Sequence, residues 1–478
     1  MPLDVDVIVI GAGPVGENVA DRVVQGGLTA VIVERELVGG ECSYWACMPT
    51  KALLRDAAAL CAARALPAAG QAVTGALDPA AVLARRDRFT SNWNDSGQVD
   101  WLTQAGITLL RGHGRITGTR TVTVTHADGT STAVQARHAV VISTGSSAYL
   151  PPIEGLADVA PWTSREAAAV RTIPKRLVVI GGGVVGSEMA TAFSALGSQV
   201  TLVSQTRLLP SVEPFAGEYV ADGLRTAGVS LHLDVDATDV RRDDAGVVHL
   251  TLSNGQTVDA DEVLVATGRT PNTKDIGLDH VGLAPGSWLQ VDDALGVLDD
   301  AGSPVGDGWL YAAGDVNKRA MLTHHGKYQA RALGDAIAAR ARGEKADLSP
   351  WGRHAATADE RAVTQVIFTD PEVAAVGLSA EAAAKAGLKV RVVDYDLGAV
   401  SGAALHADDY RGQARMVVDE NRNVLLGFTA VGPDVAELLH AATVAIAGEV
   451  PLDRLWHAVP AYPTISEIWL RLLETDGR

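Results

Sequence analysis

The chain has 478 residues, room for roughly three domains at about 150 residues each. Apolar residues make up 47% and charged residues 20%, with 49 Gly and 20 Pro, which excludes a disordered, collagen-like or coiled-coil chain. A formal charge of −17 argues against nucleic acid and anionic lipid as partners, and no apolar run reaches the roughly 18 residues of a membrane span.

The N-terminus, Met1 to Asp6, has no basic segment, and a glycine motif starts by Gly11, which leaves no room for a cleavable signal. Val5 to Ile10 is an apolar run of strand length. It leads into Gly11-Ala12-Gly13-Pro14-Val15-Gly16, a helix-like stretch through Val24, and a β-branched run, Ala30 to Val33, that closes at Glu34. This is the pattern of a dinucleotide-binding βαβ unit. Gly11 permits the tight turn, Gly13 admits a pyrophosphate, Gly16 lets helix pack on strand, and the helix N-terminus supplies N–H groups. Glu34 offers a carboxylate to the ribose hydroxyls of an unphosphorylated adenosine.

Next comes Gly39-Gly40-Glu41-Cys42-Ser43-Tyr44-Trp45-Ala46-Cys47-Met48-Pro49-Thr50-Lys51, followed by a helix-like run from Ala52 to Ala63. In one regular helix, residues five apart are separated by roughly 8.6 Å, beyond the usual disulfide span, so pairing Cys42 with Cys47 requires a distorted first turn. Pro49 suits a first turn, and thiolates there gain from the helix dipole and from a lysine such as Lys51. Zinc would need four ligands, and no second pair at ligand spacing follows, so no metal is expected. The alternatives for the pair are a redox couple and two small packing residues; the redox couple is favoured. Cys61, in an alanine-rich stretch, reads as a buried packing residue. Three cysteines are too few for a disulfide scaffold and fit a reducing compartment, the cytoplasm.

The βαβ pattern then recurs. Leu177 to Ile180 precedes Gly181-Gly182-Gly183-Val184-Val185-Gly186, a helix-like stretch to Leu196, and the strand Gln199 to Val203, ending at Ser204. Gly181 follows Gly11 by 170 positions, and Ser204 follows Glu34 by the same interval. One glycine motif is weak evidence; two in full context at equal spacing indicate two dinucleotide sites. Gly181, Gly183 and Gly186 are the second cradle. Ser204 removes the carboxylate, and Arg207 stands three positions on, which favours NADPH over NADH; the other role open to Arg207 is an ordinary loop arginine. The stretch Asp292 to Gly308 reads as a surface connection.

These motifs resemble the pyridine nucleotide-disulfide oxidoreductase family, the flavoproteins that include glutathione reductase, dihydrolipoamide dehydrogenase and mercuric reductase. Further matching segments are Val141-Ile142-Ser143-Thr144-Gly145, Val265 to Asn272 with Gly268, Glu188 in the second helix, Tyr311-Ala312-Ala313-Gly314-Asp315, and Phe368 to Gly377. The resemblance covers nearly the whole chain. It implies an α/β fold of two doubly wound Rossmann-like domains and an α+β C-terminal domain. The corresponding boundaries are an FAD-binding part at 1–151, an NAD(P)-binding part at 152–272, a central segment at 273–348 completing the flavin site, and a dimerisation domain at 349–478.

Carried over residue by residue, the resemblance implies that Gly11, Gly13, Gly16 and Glu34 hold the FAD diphosphate and ribose. Gly114 meets the adenine, Thr144 and Gly145 lie near the FAD, and Asp315 contacts ribityl or phosphate oxygens. Met321 to His324, with Thr323, runs along the flavin ring. Cys47 faces the flavin and Cys42 the acceptor, while Lys51 and Glu188 form an ion pair beside the reactive flavin nitrogen. Electrons pass from NADPH or NADH through FAD to the Cys42–Cys47 disulfide in a homodimer.

The chain departs from the family pattern at its end. Disulfide-exchanging members carry His-Pro-Thr-x-x-Glu, whereas this chain reads Tyr462-Pro463-Thr464-Ile465-Ser466-Glu467. Glu467 is kept, but a phenol of reference pKa about 10 is a poor base near neutrality. His457, five positions upstream, is a possible substitute. No cysteine follows Cys61, unlike the tail that mercuric reductases use. Trp45 occupies a place where the family has a small residue; packing and a flat wall for an aromatic acceptor both fit it. The expected activity is electron transfer to a small, quinone-like or other non-dithiol acceptor. The alternatives are a disulfide reductase or dihydrolipoamide dehydrogenase with a modified acid-base group, and a non-catalytic flavin-binding redox sensor.

Overall fold

The computed structural model describes residues 2–477, and the chain divides into two compact units. The first comprises the chain up to Met48, Asp87–Ser147 and Arg269–Glu360. Its sheet is ordered Thr108–Arg111, Ala30–Glu34, Leu3–Ile10, Ser131–Ile142, Thr121–Thr125, His113–Gly118, and Leu310–Ala312 pairs with the C-terminal half of Ser131–Ile142. The strands from Thr108 to Ile142 through Leu3–Ile10 run parallel, and the last two hairpin strands are antiparallel. Val7 to Ile10 are all buried, one side of the strand joining each of two apolar clusters, because a parallel sheet is covered on both faces.

The turn after Leu3–Ile10 explains the glycine spacing. A Cβ on Gly16 would stand 1.9 Å from the Gly11 carbonyl oxygen, so only glycine lets the helix Pro14–Gln25 pack this close to its strand. Pro14 opens that helix, where a missing N–H costs nothing. The stretch from Asp292 departs from the surface connection expected of it: Ala294, Leu295 and Val297 are buried, and short bridges join Val291 to Val297 and Leu298 to Pro304. Its polar composition belongs to the tight turns, in which Asp292 and Asp299 accept backbone N–H groups, while the apolar residues between them enter the core.

The second unit comprises Pro49–Arg86, Ala148–Gly268 and the described chain from Arg361 onward. It holds a four-stranded parallel sheet in the order Ser230–Leu233, Gln199–Ser204, Arg176–Ile180, Glu262–Val265, with the helix Val184–Ala195 after its central strand. Gly186 repeats the close approach of Gly16, since its Cβ would lie 1.8 Å from the Gly181 carbonyl oxygen. A three-stranded antiparallel sheet, Ala237–Arg242 to Thr257–Ala260, is appended. A five-stranded antiparallel sheet in the order Thr364–Ile367, Glu372–Gly377, Val424–Gly432, Gln413–Asp419, Val390–Asp396 carries the helices Leu439–Ala447 and Ile468–Thr475. Among the described residues, no helix is long and apolar enough to cross a membrane.

Candidate active site

In the first unit, a cavity of about 70 Å³ opens over the fingerprint turn, lined by Gly11, Glu34, Gly114, Thr144 and Asn272 among others. The Glu34 carboxylate accepts the N–H groups of Ala12 and Glu36, both at 2.8 Å, which fixes it at the rim. Nothing lies within 4 Å of where a Gly13 Cβ would be, so the helix N-terminus faces open space. The Thr144 hydroxyl is buried without a hydrogen-bond partner, and Gly145 accepts the Asn272 N–H at 3.0 Å. An open glycine turn before a helix start, a fixed carboxylate and an orphaned hydroxyl suit a diphosphate-linked adenosine. These residues fit FAD. Asp315 accepts the Ser146 hydroxyl at 2.5 Å, and Arg269 donates to the same hydroxyl oxygen at 2.6 Å. Sequence reasoning missed Arg269 and Ser146 as a clamp on Asp315, although Arg269 stands in the Val265 to Asn272 motif.

The cysteines do not share a helix. Cys42 lies in the short helix Gly40–Tyr44; the chain breaks at Trp45, whose N–H bonds to the Glu41 carbonyl, and a new helix, Cys47–Arg64, starts at the second cysteine. The break supplies the distortion that the spacing demanded and brings both sulfurs into hydrogen-bond contact as free thiols. The helix begins five residues earlier than the Ala52 start read from its apolar pattern. The Thr323 hydroxyl, at the start of the helix Thr323–Ala341, stands 3.3 Å from the Cys47 sulfur. The hydrogen bond to Cys47 and burial push the Cys42 thiol far up, while Thr323 and the Lys327 charge pull it down. Trp45 packs against Tyr44 with its ring tilted, the centroids 5.6 Å apart. Among the described residues, no group of three or more His, Cys, Asp or Glu is arranged to hold a metal ion.

In the second unit, Lys51 donates to both carboxylate oxygens of Glu188, at 2.8 and 3.1 Å. Glu188 also accepts the backbone N–H of Phe368 at 3.0 Å, and the Lys51 ammonium lies 5.2 Å from the centre of the Phe368 ring. Phe368 stands in a segment that matches the family, but nothing in its local sequence signals this third place in the cluster. Gly183 mirrors Gly13, with nothing within 4 Å of its Cβ position, and Gly268 ends the segment after Glu262–Val265. Ser204 is buried at the strand end. Arg207 folds onto its own loop, donating to the carbonyls of Leu208, Leu209, Pro210 and Val212, and so lends no geometry to NADPH over NADH.

One sequence expectation meets a different environment. Cys61 is exposed rather than packed inside, because its position on the helix Cys47–Arg64 faces outward beside Asp370. Tyr462 is 75% exposed and His457 is also exposed, whereas Glu467 is buried and accepts the Gly402 N–H at 3.2 Å. Within the described chain, the glutamate is therefore anchored and the tyrosine projects into solvent.

Two glycine-cradled nucleotide folds, a sulfur pair at a helix break and a Lys–Glu pair define a flavin- and nicotinamide-dependent oxidoreductase. The family model described as pyridine nucleotide-disulphide oxidoreductase matches residues 5–330, and that of the family's dimerisation domain matches residues 363–472. A mercuric reductase of Shigella flexneri is 33% identical over 471 residues, covering 96% of this chain and 79% of that protein. A dihydrolipoyl dehydrogenase of Chlorobaculum tepidum is 31% identical over 466 residues, covering 97% and 95%. The HOCl-induced flavoprotein disulfide reductase RclA of Escherichia coli, solved as a Cu(II) complex, superposes with a TM-score of 0.82 at 22% identity, covering 98% of this chain and 99% of that one. LpdA of Mycobacterium tuberculosis gives 0.81 at 24%, with the same coverage. This chain belongs to the pyridine nucleotide-disulphide oxidoreductase family and is a flavoprotein oxidoreductase; members of the family depend on FAD and use NAD(P)H.

Proposed function

We propose that this enzyme transfers electrons from NADPH or NADH, through FAD, to the Cys42–Cys47 pair and on to a small acceptor that is not a dithiol, with a quinone-like compound as the favoured class. The observation that carries this reading is the state of the outgoing sulfur. The Cys42 thiol is pushed far up by Cys47 and by burial, and the position where disulfide-exchanging relatives hold a histidine carries the exposed Tyr462. A thiol whose ionisation is disfavoured attacks a disulfide slowly.

When bound, FAD supplies hydride acceptance from the nicotinamide and two-electron delivery to the disulfide. Gly11, Gly13, Gly16, Glu34, Gly114, Thr144, Gly145, Asp315 and Thr323 would hold it, and Gly181, Gly183, Gly186, Ser204 and Gly268 would hold the nicotinamide dinucleotide. Lys51, paired with Glu188, would stabilise negative charge on the reduced cofactor. Reduction of the disulfide takes two electrons and two protons and leaves two thiols. Delivery of the same two electrons and two protons to a quinone restores the disulfide and releases a hydroquinone. Tyr462 can donate a hydrogen bond to an acceptor oxygen, which needs no ionisation. The match to the dimerisation domain supports a homodimer, and three cysteines, too few for a disulfide scaffold, suit the cytoplasm.

A second reading, disulfide reductase or dihydrolipoamide dehydrogenase with a changed acid-base group, is favoured by the dihydrolipoyl dehydrogenases among the relatives and by the retained, anchored Glu467. An acceptor panel under NADPH and NADH separates the two. Quinone or dye turnover well above that of lipoamide and glutathione disulfide is expected, and the opposite ranking establishes the second reading.

A further inference from the structure

The second unit contains a cavity that the proposed reaction does not use. It measures about 320 Å³, room for roughly ten water-sized groups, and its lining is mostly apolar. Leu54, Ala57 and Leu224 are buried in its floor, Phe368 forms part of the wall, and Cys61 and Asp370 stand exposed at its rim. A mostly apolar hollow of this size with a few polar groups, here Arg64 and Asp370 with Thr191, Ser194 and Thr369, is the usual form of a small-molecule site. The Cys61 thiol donates to the Asp370 carboxylate. The other charge at the rim, Arg64, donates to the Gly75 carbonyl at 3.1 Å, which holds it over the neighbouring loop. Asp370 is thus the group available to a ligand's head.

The cavity also shares its walls with the Lys51–Glu188 pair. Leu54 stands one helical turn beyond Lys51, Thr191 stands one turn beyond Glu188, and both line the cavity. The third wall is Phe368, whose N–H holds Glu188 and whose ring lies under the Lys51 ammonium. Anything lodged against Phe368 bears on the residue that both members of the ion pair touch.

We propose that this cavity is an effector site for a compact apolar molecule with a protonated amine, its body against Phe368, Leu54 and Leu224 and its ammonium at Asp370. Occupancy changes the setting of the Lys51–Glu188 pair through Phe368; this linkage, unlike the binding itself, rests on the role given to Lys51 above.

The test uses the holoenzyme and two probes with one body and opposite heads, phenethylamine and 3-phenylpropionate. Alkylation of Cys61 by N-ethylmaleimide is followed by peptide mass. At millimolar concentration, phenethylamine should slow the modification at least ten-fold and phenylpropionate less than two-fold. Ala195→Trp, which fills the cavity from its exposed edge, should remove the protection, and Asp370→Asn should remove the preference for the amine. Absence of protection, equal protection by both probes, or protection that persists in Ala195→Trp overturns the site. Phenethylamine should also perturb the flavin absorption spectrum, and not in Ala195→Trp. Protection of Cys61 with an unchanged spectrum overturns the linkage, and neither result depends on which acceptor the enzyme reduces.

Discussion

Lys51 grips both carboxylate oxygens of Glu188, and the two partners are unequally exposed: 36% of the lysine side chain reaches solvent against 3% of the glutamate. The pair therefore breaks asymmetrically. Lys51→Met leaves a buried carboxylate with, among the described residues, the Phe368 N–H as its remaining donor, a situation that costs about 3–5 kcal/mol. Glu188→Gln leaves an ammonium that can swing into water, and its cost should be nearer 1 kcal/mol. Denaturant unfolding of the two variants should show Lys51→Met as clearly the less stable; equal losses would mean that the buried oxygens find other donors.

Much of this arrangement could be read along the chain, and the limits are physical. The paired glycine turns are local: five or six residues specify a tight turn and a close helix, so Gly11 to Gly16 and Gly181 to Gly186 announced both turns. Lys51 and Glu188, 137 positions apart, were joined only by the family resemblance. The helix break at Trp45 was legible as a requirement, since the five-residue spacing forbids a bridge in a regular helix, but not as the separate helix start at Cys47. Long side chains were the hardest. An arginine reaches several ångströms in any direction, and the carbonyls of Leu208 to Val212 claimed Arg207 in place of a phosphate. Cys61 went outward and Phe368 inward to the ion pair, because helix phase and a contact 180 positions distant decide such outcomes.

The sulfurs should respond to Thr323. Its hydroxyl lies 3.3 Å from the Cys47 sulfur and pulls the Cys42 thiol down, against the larger upward push from Cys47 and burial. In the reduced protein, iodoacetamide should label Cys42 slowly at pH 7 and faster as the pH rises, because the thiolate forms only well above the range of a free cysteine. Thr323→Val removes the downward pull, so labelling at a fixed alkaline pH should fall several-fold. A rate that is unchanged in the variant would show that Thr323 does not reach the couple.

The exit can be rebuilt. Tyr462 is exposed and Glu467 is already anchored to the Gly402 N–H, so Tyr462→His places an imidazole there without disturbing a buried contact. Lipoamide and glutathione disulfide reduction should rise by something like 10²- to 10⁴-fold, the usual worth of a positioned acid-base group, while quinone reduction changes little. His457→Ala should leave both activities unaltered. A large loss in His457→Ala would instead identify that histidine as the working base.

Glu17 gives the first unit a pH response independent of the cysteines. It lies in the first turn of the helix Pro14–Gln25, with one carboxylate oxygen buried and unpartnered. Burial pushes its carboxyl up to about 7, with Glu34 adding to the rise and Lys327 opposing it. A carboxyl whose folded pKa exceeds its unfolded value stabilises the fold below about pH 4.5, and that contribution is lost as the pH climbs through about 7. Glu17→Gln is neutral throughout and has no such loss. Its melting temperature should match that of the parent near pH 4 and exceed it by a few degrees at pH 8, with the gap opening between those limits. A constant offset across the same range would show that Glu17 finds a compensating partner when ionised and contributes nothing to the pH dependence.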